Sequence, residues 1–226
     1  MTTYETVLTR CGVCGAESPQ GVLTSTSSFG WPDLDRRPAE PERSSIFLWV
    51  QECPACGYCA DALESGTEDL QEIIDWDDYR ALMTDLSWPA LASRFMRHGL
   101  ILEEIGDEAG AAWRAVNAAW VCDDEGAGEP AAKARLRAVE LFQLEISEGG
   151  AFGDSEEIGD QLAEEHVLLA ELFRRAGRPD EARAECAEGL KHCDDERFET
   201  LIRFQLTLLD SGDAERHSFE ELSNDA

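Results

Sequence analysis

Cys53-Pro54-Ala55-Cys56-Gly57, read with its distant partner Cys11-Gly12-Val13-Cys14-Gly15, decides how this chain folds. Two Cys-x-x-Cys-Gly turns in one chain have the spacing of a four-thiolate metal site. A tetrahedral ion such as zinc takes four soft ligands at about 2.3 Å. Two residues between the thiols let one tight turn present both sulfurs to the same ion. The glycine after each second cysteine permits the positive φ that such a turn requires. Pro54 fixes its own φ and removes a donor, and N–H groups elsewhere in the turn can face the sulfurs. The spacing predicts one structural Zn2+ held by Cys11, Cys14, Cys53 and Cys56.

The rest of the composition limits what can surround such a site. The 226 residues carry a net charge of −29 and are 43% hydrophobic, enough for a sizeable core. The charge is uneven. Residues 1–60 hold four basic and seven acidic residues, a net of −3, whereas 61–226 hold fifteen and forty-one, a net of −26. Nucleic-acid and anionic-lipid binding rest on neutralising phosphates, so this surface argues against both. Only Lys133 and Lys191 accompany seventeen arginines, as in a GC-rich genome or a salt-adapted proteome. Met1-Thr2-Thr3-Tyr4-Glu5 has neither the basic patch nor the following apolar run of a signal peptide. No stretch approaches the ~20 apolar residues of a membrane span. Eight cysteines, four in metal spacing, fit a reducing cytoplasm better than a disulfide framework.

Between the knuckles, Val22–Ser27 reads as an exposed strand and Ile46–Val50 as a second strand leading into Cys53. Knuckle, strand, loop, strand, knuckle is the zinc-ribbon plan. So small a unit depends on its metal for stability. The loop from Phe29 to Ser45 is long for a hairpin connection. It reads as pinned by Trp31 and by Asp–Arg pairs, although long ordered loops are also often functional. Cys59, in register after Cys56, reads as an inert buried thiol; replacing a ligand, acting as a free thiol or pairing with Cys56 are the alternatives.

From about residue 67 the apolar period becomes helical. Thr67 reads as an N-cap, with Leu70, Ile73 and Ile74 on one face. A short helix follows over Trp76–Leu86, and Pro89 starts the next. Residues 90–123 read as a helical hairpin with Phe95, His98, Gly99 and Leu102 at tetratricopeptide positions. Gly106-Asp107 forms the turn, and Ala111, Ala115 and Ala118 make a small-residue face. His166, Leu169, Ala170 and Phe173, the turn Gly177-Arg178-Pro179, and Ala182, Cys186 and Gly189 repeat the arrangement. Gly106 and Gly177 are 71 residues apart and Gly177 and Gly212 are 35 apart, about two repeats and one repeat of ~34 residues. The middle unit is irregular, with breaks at Gly126–Pro130 and Gly149–Gly153 around a helix over Pro130–Glu148. Arg197–Leu209 and the residues from Asp213 resemble a capping pair. The expected helical core includes Phe95, Leu102, Trp113, Trp120, Leu169, Phe173 and Leu190.

Few other motifs carry chemistry. Cys186, His192 and Cys193 are a weak candidate for a second metal site; small buried hydrophobes explain the cysteines more simply. No phosphate loop, dinucleotide fingerprint, nucleophile elbow or His-Glu-x-x-His is present. The acidic pairs Glu103-Glu104 and Glu164-Glu165 diverge around a helix and read as solvated rather than catalytic.

Taken together, Cys11, Cys14, the run Cys53-Pro54-Ala55-Cys56-Gly57-Tyr58 and the hairpin from Trp88 to Trp120, with Ala118-Ala119-Trp120, resemble an uncharacterised bacterial domain-of-unknown-function family. Its members pair such knuckles with tetratricopeptide-like helices. The resemblance covers most of the chain and implies the fold more than any activity.

The expected fold class is mainly α with a small β zinc ribbon. The ribbon domain spans residues 1–66 and an α-helical tetratricopeptide-like repeat domain spans 67–226. The expected function is that of a cytoplasmic zinc-binding adaptor or scaffold whose helical repeats bind protein partners, a basic peptide among them. Neither nucleic acid nor membrane is an expected partner, and no catalytic residue is assigned. One rival is an enzyme using the zinc or the Cys59 thiol, but four thiolates leave the metal no open position. The other is nucleic-acid binding through the ribbon, which offers only Arg10, Arg36, Arg37 and Arg43.

Overall fold

A computed structural model describes residues 1–152, 158–193 and 195–224. The fold is mainly helical with a small N-terminal ribbon, as expected. Strand β1 (Thr3–Arg10) pairs antiparallel with β2 (Glu17–Ser25), from Thr3 opposite Ser25 to Arg10 opposite Glu17. The short strands β3 (Gln51–Glu52) and β4 (Cys59–Ala60) form a second antiparallel pair. Each knuckle therefore closes its own hairpin, the first between β1 and β2 and the second between β3 and β4.

This corrects the ribbon plan in two places. The strand expected over Ile46–Val50 is instead largely a 3-10 turn over Arg43–Leu48. Its expected partner, β2, is already taken along its length by β1, which sequence patterning did not reveal. With no free ladder, the backbone bonds locally: Ser45 N–H to Glu42 O at 2.9 Å and Trp49 N–H to Ile46 O at 3.1 Å. Every-other burial survives, with Ile46, Leu48 and Val50 inside and Phe47 exposed, which is why the stretch reads as a strand. Phe47 stacks edge-on against Tyr4 at 5.9 Å, and the turn packs on β2.

The helical segment follows its predicted outline. The short helices α1 (Gln71–Ile74) and α2 (Asp77–Thr84) lead to α3 (Ala90–Glu104) and α4 (Glu108–Asp124). Thr67 makes no side-chain cap; it precedes a 3-10 turn over Glu68–Leu70. Then come α5 (Gly128–Ser147), α6 (Ile158–Arg175), α7 (Pro179–His192), α8 (Glu196–Ser211) and α9 (Phe219–Asn224). Gly153, at the end of the second predicted break, lies outside the described residues. Gly106 closes α3, and the Asp107 carboxylate accepts from Gly110 N–H at 2.8 Å to cap α4.

The most extensive helix contacts are α3 with α4, α4 with α5, and α6 with α7. Small residues set their closeness: Ala111, Ala115 and Ala118 are fully buried, and a Cβ on Gly99 would lie 3.4 Å from the Ala111 carbonyl. Phe95, Trp120, Leu169 and Phe173 are core residues, but Leu190 is 37% exposed, because the inner face of α7 is filled by Ala182, Cys186 and Gly189.

Residues on the two sides of position 66 share both cores. Cys11, Cys53, Tyr58 and Leu63 pack with Ile73, Ile74, Tyr79 and Ile101. Leu34, Ile46, Val50 and Cys59 pack in the large helical core. The Phe29–Ser45 loop is pinned by ion pairs, as predicted, but they reach across the molecule. Arg37 makes a bidentate pair with Asp124 at 2.8 and 2.5 Å. Arg175 bridges Asp35 and Asp123, both at 2.7 Å. Arg36 meets Glu164 at 2.5 Å, and Arg43 meets Asp33 at 2.7 Å. Trp31 is no anchor: it is 55% exposed. Glu103 pairs with Arg137, and Glu165 is buried, accepting from Phe152 N–H at 2.9 Å. These two glutamates and Glu164 are thus structural ties rather than the solvated groups expected.

Candidate metal centre

The two knuckles are copies of one turn. In the first, Cys11 N–H donates to Ala16 O and Gly15 N–H to Cys11 O, both at 2.9 Å. In the second, Cys53 N–H donates to Tyr58 O at 2.8 Å and Gly57 N–H to Cys53 O at 2.9 Å. Gly15 and Gly57 have φ of 74° and 81°, the left-handed values that explain a glycine at this place in both turns.

The turns face each other across 39 to 45 residues of sequence. The four sulfurs of Cys11, Cys14, Cys53 and Cys56 all lie within 4.8 Å of one another. Cys14 Sγ is 3.6 Å from Cys53 Sγ, and Cys11 Sγ is 3.9 Å from Cys56 Sγ. A disulfide would need about 2.05 Å, and all four thiols are free. Tetrahedral coordination with metal–sulfur bonds of about 2.3 Å gives sulfur–sulfur edges of about 3.8 Å. The spacing therefore fits a metal site, and the two hairpin tips bring together all four predicted ligands.

The electrostatics are divided. Burial opposes thiolate formation at Cys11, Cys53 and Cys56. At Cys53 it is outweighed by N–H groups of Cys56 and Ala55 and by the neighbouring thiols, which hold its pKa below the usual thiol value. Burial wins at Cys11, despite N–H groups of Cys14 and Val13 facing its sulfur, and at Cys56. Four crowded thiols cannot all ionise alone; a cation at their centre removes that obstacle.

Helices α2 and α3 hold the second knuckle from below. The Tyr79 hydroxyl donates to Gly57 O at 2.9 Å and accepts from Cys59 N–H at 3.2 Å. Arg97 donates to the same Gly57 carbonyl at 2.9 Å and to Glu52 at 2.8 Å, with its guanidinium over the Tyr79 ring. The first knuckle is gripped sterically. Gly12 N–H donates to Leu63 O at 2.9 Å, and a Cβ on Gly12 would sit 1.9 Å from the Gly66 carbonyl oxygen. Sequence reading missed Tyr79, Arg97, Glu52 and Gly66. They stand in ordinary helical, strand or turn contexts and carry no motif.

Cys59 stays out of the cluster. It is fully buried, and burial pushes its thiol up to about 12, which fits an inert thiol. Cys186 is buried in the helical core, while Cys193 Sγ lies 3.0 Å from Asp195 O. Among the described residues, only the four knuckle cysteines gather as metal ligands. No described helix is long and apolar enough to cross a membrane. Comparison with protein-family models, curated proteins and solved structures finds no match for this chain.

Proposed function

We propose that this chain is a cytoplasmic zinc-binding protein that works as an adaptor or scaffold, binding protein partners through its tetratricopeptide-like helices. The observation that carries the metal half is the four-sulfur cluster with edges of 3.6 and 3.9 Å. Zinc matches all-thiolate, tetrahedral ligation and needs no redox chemistry. A closed four-cysteine set makes it structural, joining two hairpins that have few apolar residues of their own. Eight free thiols favour a reducing compartment. The interaction half is supported by paired helices bearing most of the −29 charge, which favours a basic protein segment and disfavours nucleic acid. On this reading the chain joins the paired-knuckle family its motifs resemble.

Metal analysis of untagged protein purified without added metal should find about one zinc per chain. A Cys53→Ser variant retaining full zinc and unchanged melting would refute the assignment. Affinity capture from the source cell at physiological salt should return a protein partner; recovery of nucleic acid alone would overturn the interaction reading.

A further inference from the structure

A large concavity lies apart from the knuckle cysteines, none of which lines it. A cleft of about 1110 Å³ lies between the Phe29–Arg43 loop, the α4–α5 turn and the segment before α9. Two of its walls are tied by backbone pairing: Leu34 N–H donates to His217 O at 2.9 Å and Phe219 N–H to Pro32 O at 3.0 Å. The loop is held down by buried ion pairs, yet it presents Phe29 and Trp31 to solvent, 70% and 55% exposed. Two unpaired aromatic faces beside carboxylates are the chemistry that recognises a cation.

One carboxylate is incompletely used. Asp33 is 3% exposed. Its Oδ1 meets Arg43 at 2.7 Å, while Oδ2 has no hydrogen-bond donor. The cation facing Oδ2 is Arg216, 3.6 Å away and 54% exposed, beyond hydrogen-bond distance. The chain's own arginine thus half-occupies a guanidinium position. Glu40 and Glu215 line the same cleft and take part in no ion pair among the described residues. The other lining arginines are committed: Arg37 to Asp124, Arg43 to Asp33, and Arg175 to Asp35 and Asp123. The unbonded Nε atoms of Arg37 and Arg175 belong to guanidiniums already neutralised by these carboxylates. The charge left over in the cleft is negative.

Trp31 is also a wall of a second, mainly apolar groove of about 650 Å³, formed with Phe198, Leu201, Phe219 and Leu222. The two depressions meet at that indole. We infer that this face seats an extended segment of a partner protein. An arginine or lysine of the segment lies between the aromatic rim and Asp33, and an adjacent apolar side chain lies in the α8–α9 groove. The incoming cation displaces Arg216 and supplies the donor that Oδ2 lacks. This rests on the protein-interaction reading and assigns it a face other than the inner surface of the paired helices.

The test uses the full zinc-loaded chain and a short capped peptide with a central arginine–leucine pair. Its citrulline and glutamate counterparts serve as controls. Binding is read by calorimetry and by backbone amide shifts. The arginine peptide should bind, with shifts at Phe29–Asp33 and His217–Phe219, and the citrulline peptide about tenfold more weakly. Trp31→Ala, at an exposed site that leaves folding intact, should weaken binding about tenfold. Arg216→Ala should tighten it a few-fold by removing the internal competitor, a gain that no structural defect would produce. Equal binding of the citrulline or glutamate peptide, or no response to both substitutions, overturns the site. Shifts confined to the inner face of the paired helices overturn the site and leave the interaction reading standing. If the peptides do not bind and no protein partner is captured, both readings fall.

Discussion

Removing one oxygen from Tyr79 tests whether the helices hold the candidate metal centre. In Tyr79→Phe the buried ring keeps its packing, so no cavity opens. Gly57 O loses one donor and keeps Arg97 at 2.9 Å. The Cys59 N–H loses its partner at 3.2 Å and stays buried. An orphaned buried donor costs about 1–3 kcal/mol, and the lost hydroxyl bond about 1 kcal/mol more before the remaining Arg97 contact compensates. The expected destabilisation is about 2 kcal/mol. In a chain of this size that lowers Tm by about 4–8 °C. The metal binds only the ordered knuckle, so the same free energy weakens metal affinity by up to about 30-fold, inside the range typical of groups that orient ligands. Competition against a chromophoric chelator at neutral pH measures the affinity, and calorimetric melting measures the stability. The same substitution in a Cys53→Ser background should leave residual metal binding unchanged. A lower Tm with unaltered metal affinity would refute the coupling between α2 and the knuckle.

Hydrogen exchange with and without a strong chelator should show protection lost from residues 1–66 and from Ile73, Ile74, Tyr79 and Ile101, which share the knuckle core. Protection in α4–α8 should persist; uniform loss along the chain would mean that no part folds without the metal. His98 is buried beside Arg114, and burial first, then that positive charge, holds its pKa down at about 3. Because the unfolded chain takes up this proton near pH 6.5 and the folded chain does not, its contribution is complete above that pH and is lost as pH falls towards 3. The loss is about 3 kcal/mol by pH 4. The difference in melting between wild type and His98→Gln should follow that slope, and parallel curves would contradict it. Mixed DNA and RNA should show no binding at micromolar protein in physiological salt, given the −29 charge; tight, salt-sensitive binding would show the ribbon arginines overcoming it.

Much of this protein is legible without its structure, wherever the determining chemistry lies within a few residues. The gathering of Cys11, Cys14, Cys53 and Cys56 follows from two turns of fixed length. The helices over 90–104 and 108–124 follow from their apolar period, and the Gly106-Asp107 and Gly177-Arg178-Pro179 breaks from backbone and capping preferences. The remainder depended on partners remote in sequence. Ile46–Val50 alternates like a strand, but whether it is one depends on a free neighbour, and β1 had already claimed β2. Asp35 reads as a loop charge until Arg175, 140 residues away, meets it. Tyr79 and Arg97 read as ordinary helix residues until both converge on the Gly57 carbonyl. Turn geometry and helical period are local properties of the chain. Ladder pairing, buried ion pairs and the groups that steady a metal ligand exist only once distant segments are desolvated together, and the tertiary structure alone decides which of them meet.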